Sequence, residues 1–346
     1  MAKDRVTLRD VAREAGVHVS TASRALNEET RSVVHPATTE KVLRIASQLG
    51  YSPNPLAKGL RTNKSMTVGM VISDIENPLF GPIIAGVEAT MGREGYSTLI
   101  AEAMAHDHAA LSPVIDALIA RRVDGMVLAM ATRTGQNAIR LKRLGIPVIL
   151  VNRTVDDADV SSIVGDDEHG IGLAVDHLVA LGHTRIGHLA GPMETSTAAG
   201  RLKGFHQHME NLGLAHEDTV VESAEWYQIE PGYKAATDLL ERRPDLTALV
   251  AANDLIALGA YRAIRDRGMV VGTEVSVTGY NDMMLLDMID PPLTSIRVPY
   301  REMGAEAAEA LLEMMTAADG EEPPTIKRRL LPTLSARNST QPPPDS

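Results

Sequence analysis

Val19, Ser20, Thr21 and Arg24 stand together at the start of a short helical segment, and side chains of these kinds suit the reading of nucleic acid. Small hydroxyl- and methyl-bearing residues can approach base edges and thymine methyl groups, and an arginine can reach a phosphate or a guanine. The spacing predicts a helix over Ser20–Leu26, with Ala22, Ala25 and Leu26 facing inward. A first helix must hold it in place: Leu8, Val11, Ala12 and Ala15 recur at helical spacing, with Thr7 placed to cap the start and Gly16 to end it. Helix, glycine turn and second helix form the helix-turn-helix plan, whose second helix offers its N-terminal residues to the major groove. A third helix is expected over Glu40–Leu49, capped by Thr38 or Thr39 and ended by Gly50. A three-helix bundle that binds another protein has the same periodicity; the polar face of the second helix and the local charge favour DNA.

That charge is unevenly placed. The 346-residue chain carries a net charge of -11, yet residues 1–64 hold 11 Lys/Arg against 6 Asp/Glu, a net of +5. The remainder holds 23 against 39, a net of -16. A basic head on an acidic body confines DNA contact to the head. The chain has no cysteine, which excludes disulfides, thiolate nucleophiles and thiolate metal sites. The N-terminus, Met1-Ala-Lys-Asp-Arg5, leads directly into the first amphipathic segment, and neither a signal peptide nor a membrane span is read. A soluble, cytoplasmic protein is expected.

Residues 51–64 read as a hinge. Pro53 and Pro55 interrupt ordinary helix, while Leu56–Arg61 can form one or two turns that are too short to persist alone. From Met66 onward, strand-like runs alternate with helical patterns. The runs are Met66–Ile72, Ser97–Ala101, Gly125–Ala129, Val148–Val151, Ile186–Leu189, Ala248–Ala251 and Val275–Thr278. The helical patterns include Pro82–Arg93, His177–Leu181, Leu202–Leu212, Gly232–Leu240 and Leu255–Arg267. Such alternation predicts an α/β core of parallel sheets, and its length suggests two lobes. Asn338–Ser346 is polar and proline-rich and reads as a disordered tail.

The run Val6-Thr-Leu-Arg-Asp-Val-Ala-Arg-Glu-Ala-Gly-Val-His-Val-Ser-Thr-Ala-Ser-Arg-Ala-Leu-Asn27 resembles the head of the lactose/galactose repressor family, as does Glu40-Lys-Val-Leu43 with Gly50-Tyr-Ser-Pro-Asn54. The resemblance continues through Asn77-Pro-Leu-Phe80, His177-Leu-Val-Ala-Leu-Gly-His183, Gly279-Tyr-Asn-Asp282 and Asp290-Pro-Pro-Leu-Thr-Ser295, in order along nearly the whole chain. Two residues depart from the family pattern: His18 stands where serine, a better N-cap, is usual, and Ala22 where valine is usual. The resemblance implies DNA contacts from Thr7, Val19, Ser20, Thr21, Ser23, Arg24, Asn27, Tyr51 and Asn54. It also implies that Leu60 wedges into the minor groove, with Ala57 as its small neighbour.

For the body, the resemblance implies a two-lobed, periplasmic-binding-protein-like core, with a small-molecule effector in the cleft at the carboxyl ends of the strands. Crossings between lobes are expected near Ser161–Val164, Pro291–Thr294 and Glu322–Thr325. This divides the chain into a head at 1–50, a hinge at 51–64, a core at 65–337 and a tail at 338–346. Within the core, the N-lobe takes about 65–162 and 294–323, and the C-lobe about 163–292 and 324–337. Effector contacts are implied for Phe80, His169, Arg201, Trp226, Asn253 and Asn281, a set of aromatic faces and hydrogen-bonding groups suited to a polyhydroxylated ligand. Four of them have a plainer reading: Phe80 in the core, Trp226 on the surface, Arg201 bridged to an acid, His169 in solvent. Asn281 stands where many sugar-responsive relatives have aspartate, which leaves sugar acids and nucleoside-like effectors open.

Gly170-Ile-Gly172 lacks the third glycine of a dinucleotide fingerprint, and no P-loop or Gly-x-Ser-x-Gly elbow occurs. The pairs His106/His108 and His206/His208 are two residues apart, on different faces of a helix, and make poor metal sites. Neither catalysis nor a cofactor is expected. The reading is an effector-controlled repressor acting as a homodimer on double-stranded, near-palindromic operator DNA, with a sugar or sugar-derived effector and no membrane partner. The rival is a cytoplasmic solute-binding protein or enzyme whose head is an interaction module.

Overall fold

The computed structural model describes residues 6–27, 30–51, 64–103, 108–156, 158–214, 220–317 and 324–344. It divides into two units, residues 1–66 and 67–346. Among the described residues no helix is long and apolar enough to cross a membrane.

The first unit contains α1 (Leu8–Ala15), α2 (Val19–Leu26), a 3-10 turn over Arg31–Val33 and α3 (Pro36–Leu49). Thr7 and Asp10 form a capping box at the start of α1, and Gly16 ends the helix at φ 64°, a conformation that glycine adopts without Cβ strain. His18, despite its bulk, caps α2: its Nδ1 accepts from the Ser20 backbone N–H at 3.3 Å. The third helix begins four residues before the expected Glu40, because Pro36 occupies its first position, where the absent N–H costs nothing. Val11, Ala12, Ala15, Ala22, Ala25, Val42, Ile45 and Ala46 close the core between the three helices. Ala22 is fully buried there.

The second unit has two six-stranded sheets. Sheet one contains β1 (Thr67–Ile72), β2 (Ser97–Glu102), β3 (Gly125–Leu128), β4 (Val148–Val151), β5 (Ser161–Gly165) and β11 (Lys327–Leu330), in the order β11-β5-β4-β3-β1-β2. Sheet two contains β6 (Ile186–Ala190), β7 (Val221–Ser223), β8 (Ala248–Ala251), β9 (Ser276–Asn281), β10 (Thr294–Arg297) and β12 (Thr333–Ser335), in the order β12-β10-β9-β8-β6-β7. Every pairing is parallel except β10 with β12. Strands β3, β4 and β8 are buried at every position, as expected where helices cover both faces. The helices are α4 (Phe80–Arg93), α5 (His108–Ala120), α6 (Gln136–Arg143), α7 (Asp167–Ala180), α8 (Ser196–Asn211), α9 (Ile229–Arg242), α10 (Asp254–Asp266) and α11 (Tyr300–Thr316).

The crossings differ from expectation. Ser161–Gly165 completes β5 in sheet one, Thr294–Arg297 is β10 of sheet two, and Lys327–Leu330 is β11 of sheet one. The chain therefore changes lobe after Gly165, after Arg297 and after Leu330, each a few residues later than Ser161–Val164, Pro291–Thr294 and Glu322–Thr325. The cleft lies at the carboxyl ends of the strands, so the chain is free to cross only when a strand is complete.

The tail also differs. Residues 338–344 are described and in part deeply buried, not a disordered end. Ser339 donates from Oγ to the Val277 carbonyl at 2.6 Å and accepts from Thr294 N–H at 2.8 Å. Thr340 Oγ1 lies 2.8 Å from His177 Nε2, and the Gln341 carbonyl lies 2.8 Å from His183 Nε2. The Ser339 and Thr340 hydroxyls and the Gln341 backbone carbonyl fill the hydrogen-bonding needs of buried groups on the second lobe, a role that composition does not reveal.

Helices α4 and α11 cross at Gly86 and Gly304, where backbone meets backbone. A Cβ at Gly86 would collide with the Arg301 carbonyl and lie 2.8 Å from Ala305 N. Gly86→Ala is expected to destabilise the core by about 1–3 kcal/mol through overpacking, measured as an earlier urea transition of the core. An unchanged transition would mean that the two helices separate at no cost.

Candidate functional site

Two surfaces carry the candidate chemistry. On the head, Val19, Ser20 and Arg24 are exposed on α2, while Thr21, Ser23 and Asn27 are half-buried along it. The end of the helix is tied down: Thr30 Oγ1 donates to the Arg24 carbonyl and Arg31 Nε to the Ala25 carbonyl, each at 3.2 Å. The Ser20 hydroxyl lies 2.8 Å from His18 Nδ1, so part of its capacity is spent on the cap. Thr7 is spent likewise, its hydroxyl donating to Asp10 Oδ2 at 2.6 Å. Tyr51 packs against the head core. Asn54, Ala57 and Leu60 lie outside the described residues.

The second surface is a cavity of about 360 Å³ between the lobes. Of the six residues that resemblance assigned to an effector, Phe80, Arg201, Trp226, Asn253 and Asn281 line it. His169 does not: it is exposed on the first turn of α7, whose carboxylate-capped start turns it to solvent. Phe80 combines two readings, since it opens α4, is buried in the core and still presents a surface to the cavity.

Arg201 also combines two. Its side chain is 4% exposed and pairs with Asp167, which is 14% exposed, through Nε to Oδ1 at 2.8 Å. A second nitrogen donates to the Ala252 carbonyl, and the guanidinium lies 3.7 Å from the centre of the Tyr280 ring. Burial opposes the charge, but the Asp167 carboxylate more than offsets it and holds the Arg201 pKa above the ordinary arginine value.

The two asparagines are oriented by the fold. Asn253 caps α10, its Oδ1 accepting from Ile256 N–H at 2.8 Å. Asn281 Oδ1 accepts from the Tyr300 hydroxyl at 2.7 Å. Each carbonyl oxygen thus accepts one protein hydrogen bond, and each amide nitrogen adds two donors. Asn281 and Asn152 have φ values of 112° and 66°, a conformation that costs about 1–3 kcal/mol and tends to persist at functional sites.

Sequence reasoning missed Asn152, Arg153, Thr195, Thr197, Tyr227 and Tyr300, all of which line the cavity. A signal for Asn152-Arg153 was present, since the pair directly follows the strand at Val148–Val151 and strand ends face the cleft. Tyr227 had no such signal. Its hydroxyl lies 2.9 Å from Thr197 Oγ1 and 3.2 Å from Thr195 Oγ1, a contact made between distant segments. Among the described residues, hydrogen bonds that join the lobes beside the cavity run from Arg133 N–H to the Glu194 carbonyl at 3.2 Å, from Thr154 N–H to Ser196 Oγ at 2.9 Å and from the Tyr300 hydroxyl to Asn281 Oδ1.

Of the histidine pairs in the sequence, His106 lies outside the described residues. His208 faces Asp176 at 3.2 Å, and His183 is buried between Thr247 and Gln341. Among the described residues no group of three or more acidic or histidine side chains could hold a metal ion.

Comparison with known proteins matches residues 7–54 to the family model "Bacterial regulatory proteins, lacI family". Residues 65–331 match "Periplasmic binding proteins and sugar binding domain of LacI family". The chain is 32% identical over 309 residues to the HTH-type transcriptional repressor CytR of Escherichia coli K12, covering 89% of each protein. Its structure resembles a lac repressor dimer bound to operator and the anti-inducer ONPF, with TM-score 0.86, 29% identity and coverage of 98% and 100%. It also resembles a complex of the transcriptional regulator CelR with cellobiose, with TM-score 0.74, 30% identity and coverage of 97% and 100%. A head built to present α2, a two-lobed core and both family matches lead to one assignment: the chain belongs to the LacI family of bacterial regulatory proteins.

Proposed function

We propose that this protein is a cytoplasmic, non-catalytic transcriptional repressor that acts as a homodimer on near-palindromic operator DNA and is controlled by a sugar-like effector. The observation that carries the reading is the pairing, in one chain, of a firmly capped α2 with exposed Val19, Ser20 and Arg24 and a two-lobed cavity lined by hydrogen-bond donors and aromatic rings. The lac repressor relative is a dimer on its operator, and the CelR relative holds cellobiose in its complex. Exposed apolar side chains on the second lobe, Met284 at 84%, Leu285 at 69% and Met288 at 76%, supply a surface for the dimer. In this mechanism, Val19–Arg24 read the major groove and Leu60 of each hinge enters the minor groove between half-sites. The effector shifts the population between lobe angles that hold the hinges together and angles that part them.

The test is binding of the full chain to a duplex selected from random DNA, titrated with salt. Log affinity should fall steeply with log salt, by about 0.9 for each phosphate neutralised. Arg24→Ala should weaken the selected duplex by about tenfold or more, in line with the 1–3 kcal/mol carried by a good arginine contact to a base. Affinity that stays level across salt would overturn the operator reading.

A further inference from the structure

The cavity lining holds a buried positive charge that no carboxylate among the described residues neutralises. Arg201 is matched by Asp167. Arg153, directly after β4, is only 9% exposed and lines the same cavity. Its Nε is buried without a hydrogen-bond partner, and among the described residues no carboxylate forms an ion pair with it. Burial is the main influence on its pKa and lowers it; Tyr227 opposes that shift and the nearby Arg201 adds to it. A buried, unmatched guanidinium is costly unless something else completes it.

The neighbouring groups have the same bias. Asn253 and Asn281 line the cavity, and each accepts a protein hydrogen bond at its carbonyl oxygen, one from the Ile256 N–H and one from the Tyr300 hydroxyl, while its amide nitrogen carries two further donors. Together with the Arg153 guanidinium, these donors suit a ligand rich in acceptors. The lining also carries four carboxylates, Asp74, Glu76, Glu102 and Glu194. Three of them are exposed, and Asp74 and Glu102 already accept from backbone N–H groups. Exposed carboxylates keep their water, and none of the four pairs with Arg153, so the buried guanidinium is the place in the lining for a ligand's negative charge.

We propose that the effector is a carboxylate-bearing polyhydroxy compound, a sugar acid, whose carboxylate docks on Arg153 while its hydroxyl groups meet Asn253, Asn281 and the aromatic rings. One unmatched guanidinium in a desolvated wall balances a monoanion, whereas a phosphate dianion would leave about one charge uncompensated. This inference rests on the reading of the cavity as an effector site.

The experiment measures thermal shift and calorimetric affinity of the full chain with paired probes: glucose with gluconate and glucuronate, galactose with galactonate and galacturonate, and glucose 6-phosphate as the dianion. At least one acid should bind about 100-fold or more tightly than its neutral partner, a difference typical of losing charge-assisted hydrogen bonds at a buried site. Arg153→Gln should erase that preference, and Arg153→Lys should keep part of it. Unchanged affinity of both variants for the selected operator duplex confirms that they fold. A neutral sugar binding as tightly as its acid, or an acid unaffected by Arg153→Gln, would overturn the inference and leave the effector site standing. Stronger binding of the phosphate ester than of every acid would overturn the choice of carboxylate. No binding in any pair would overturn the effector reading itself and this inference with it.

Discussion

Asp167→Asn is expected to destabilise the core by about 3–5 kcal/mol, the usual cost of removing one partner from a buried ion pair. The substitution keeps the shape of the side chain, so lost volume is not the cause. The cost comes from Arg201, whose side chain is 4% exposed and whose only ion-pair partner among the described residues is Asp167 at 2.8 Å. The Ala252 carbonyl and the Tyr280 ring would remain beside the guanidinium, but neither carries a formal charge. Urea unfolding of parent and variant at neutral pH measures the difference. The double variant Asp167→Leu with Arg201→Met should recover much of the loss, because apolar side chains of similar size need no partner. A loss below about 1 kcal/mol for Asp167→Asn would show that solvent in the cavity, not Asp167, stabilises Arg201.

A second large effect concerns acid. His188 lies in the middle of β6, fully buried, with its ring stacked on Phe205 at 4.9 Å and its Nδ1 2.8 Å from the Val250 carbonyl. Burial, and to a smaller extent His206 and Arg201, bring its pKa down to about 4, against the opposing contact with the Val250 carbonyl. The unfolded chain takes up a proton here below about pH 6.5 and the folded chain only near pH 4, so stability is lost as pH falls through that window. The loss amounts to about 3 kcal/mol at roughly 1.4 kcal/mol per pKa unit.

Asp254, also fully buried, acts in the opposite direction. Burial is the main reason that its pKa is pushed up to about 7, although the Ser295 hydroxyl and the Met283 N–H donate to it. Its folded form keeps a proton that the unfolded chain releases, so its contribution to stability declines as pH rises from about 4 to about 7. The two slopes nearly cancel in the parent protein. His188→Phe removes one of them and should gain about 2.5 kcal/mol relative to the parent on going from pH 7 to pH 4.5, measured by urea unfolding at both values. The same difference between variant and parent at the two pH values would contradict a neutral His188 in the fold.

Local chemistry was legible from the residues alone. Thr7 and Gly16 bound α1, the stripe Val11, Ala12 and Ala15 forms its buried face, and Val148–Val151 and Ala248–Ala251 are strands with those ends. Each of these is set by neighbours within a few positions: a cap, a glycine at positive φ, or a short β-branched run. What required the tertiary structure was every pairing across long separations. Composition marked Asn338–Ser346 as disordered, whereas Ser339 and Thr340 are buried by bonds to Val277, Thr294 and His177. Strands β10, β11 and β12 carry little apolar pattern of their own and exist through ladders to distant partners. His169 and Arg153 both lie close after strands, yet one faces solvent and the other lines the cavity. Sequence spacing sets how far a side chain lies from a strand end, but which way it points depends on the crossing that follows and on the lobe packed opposite.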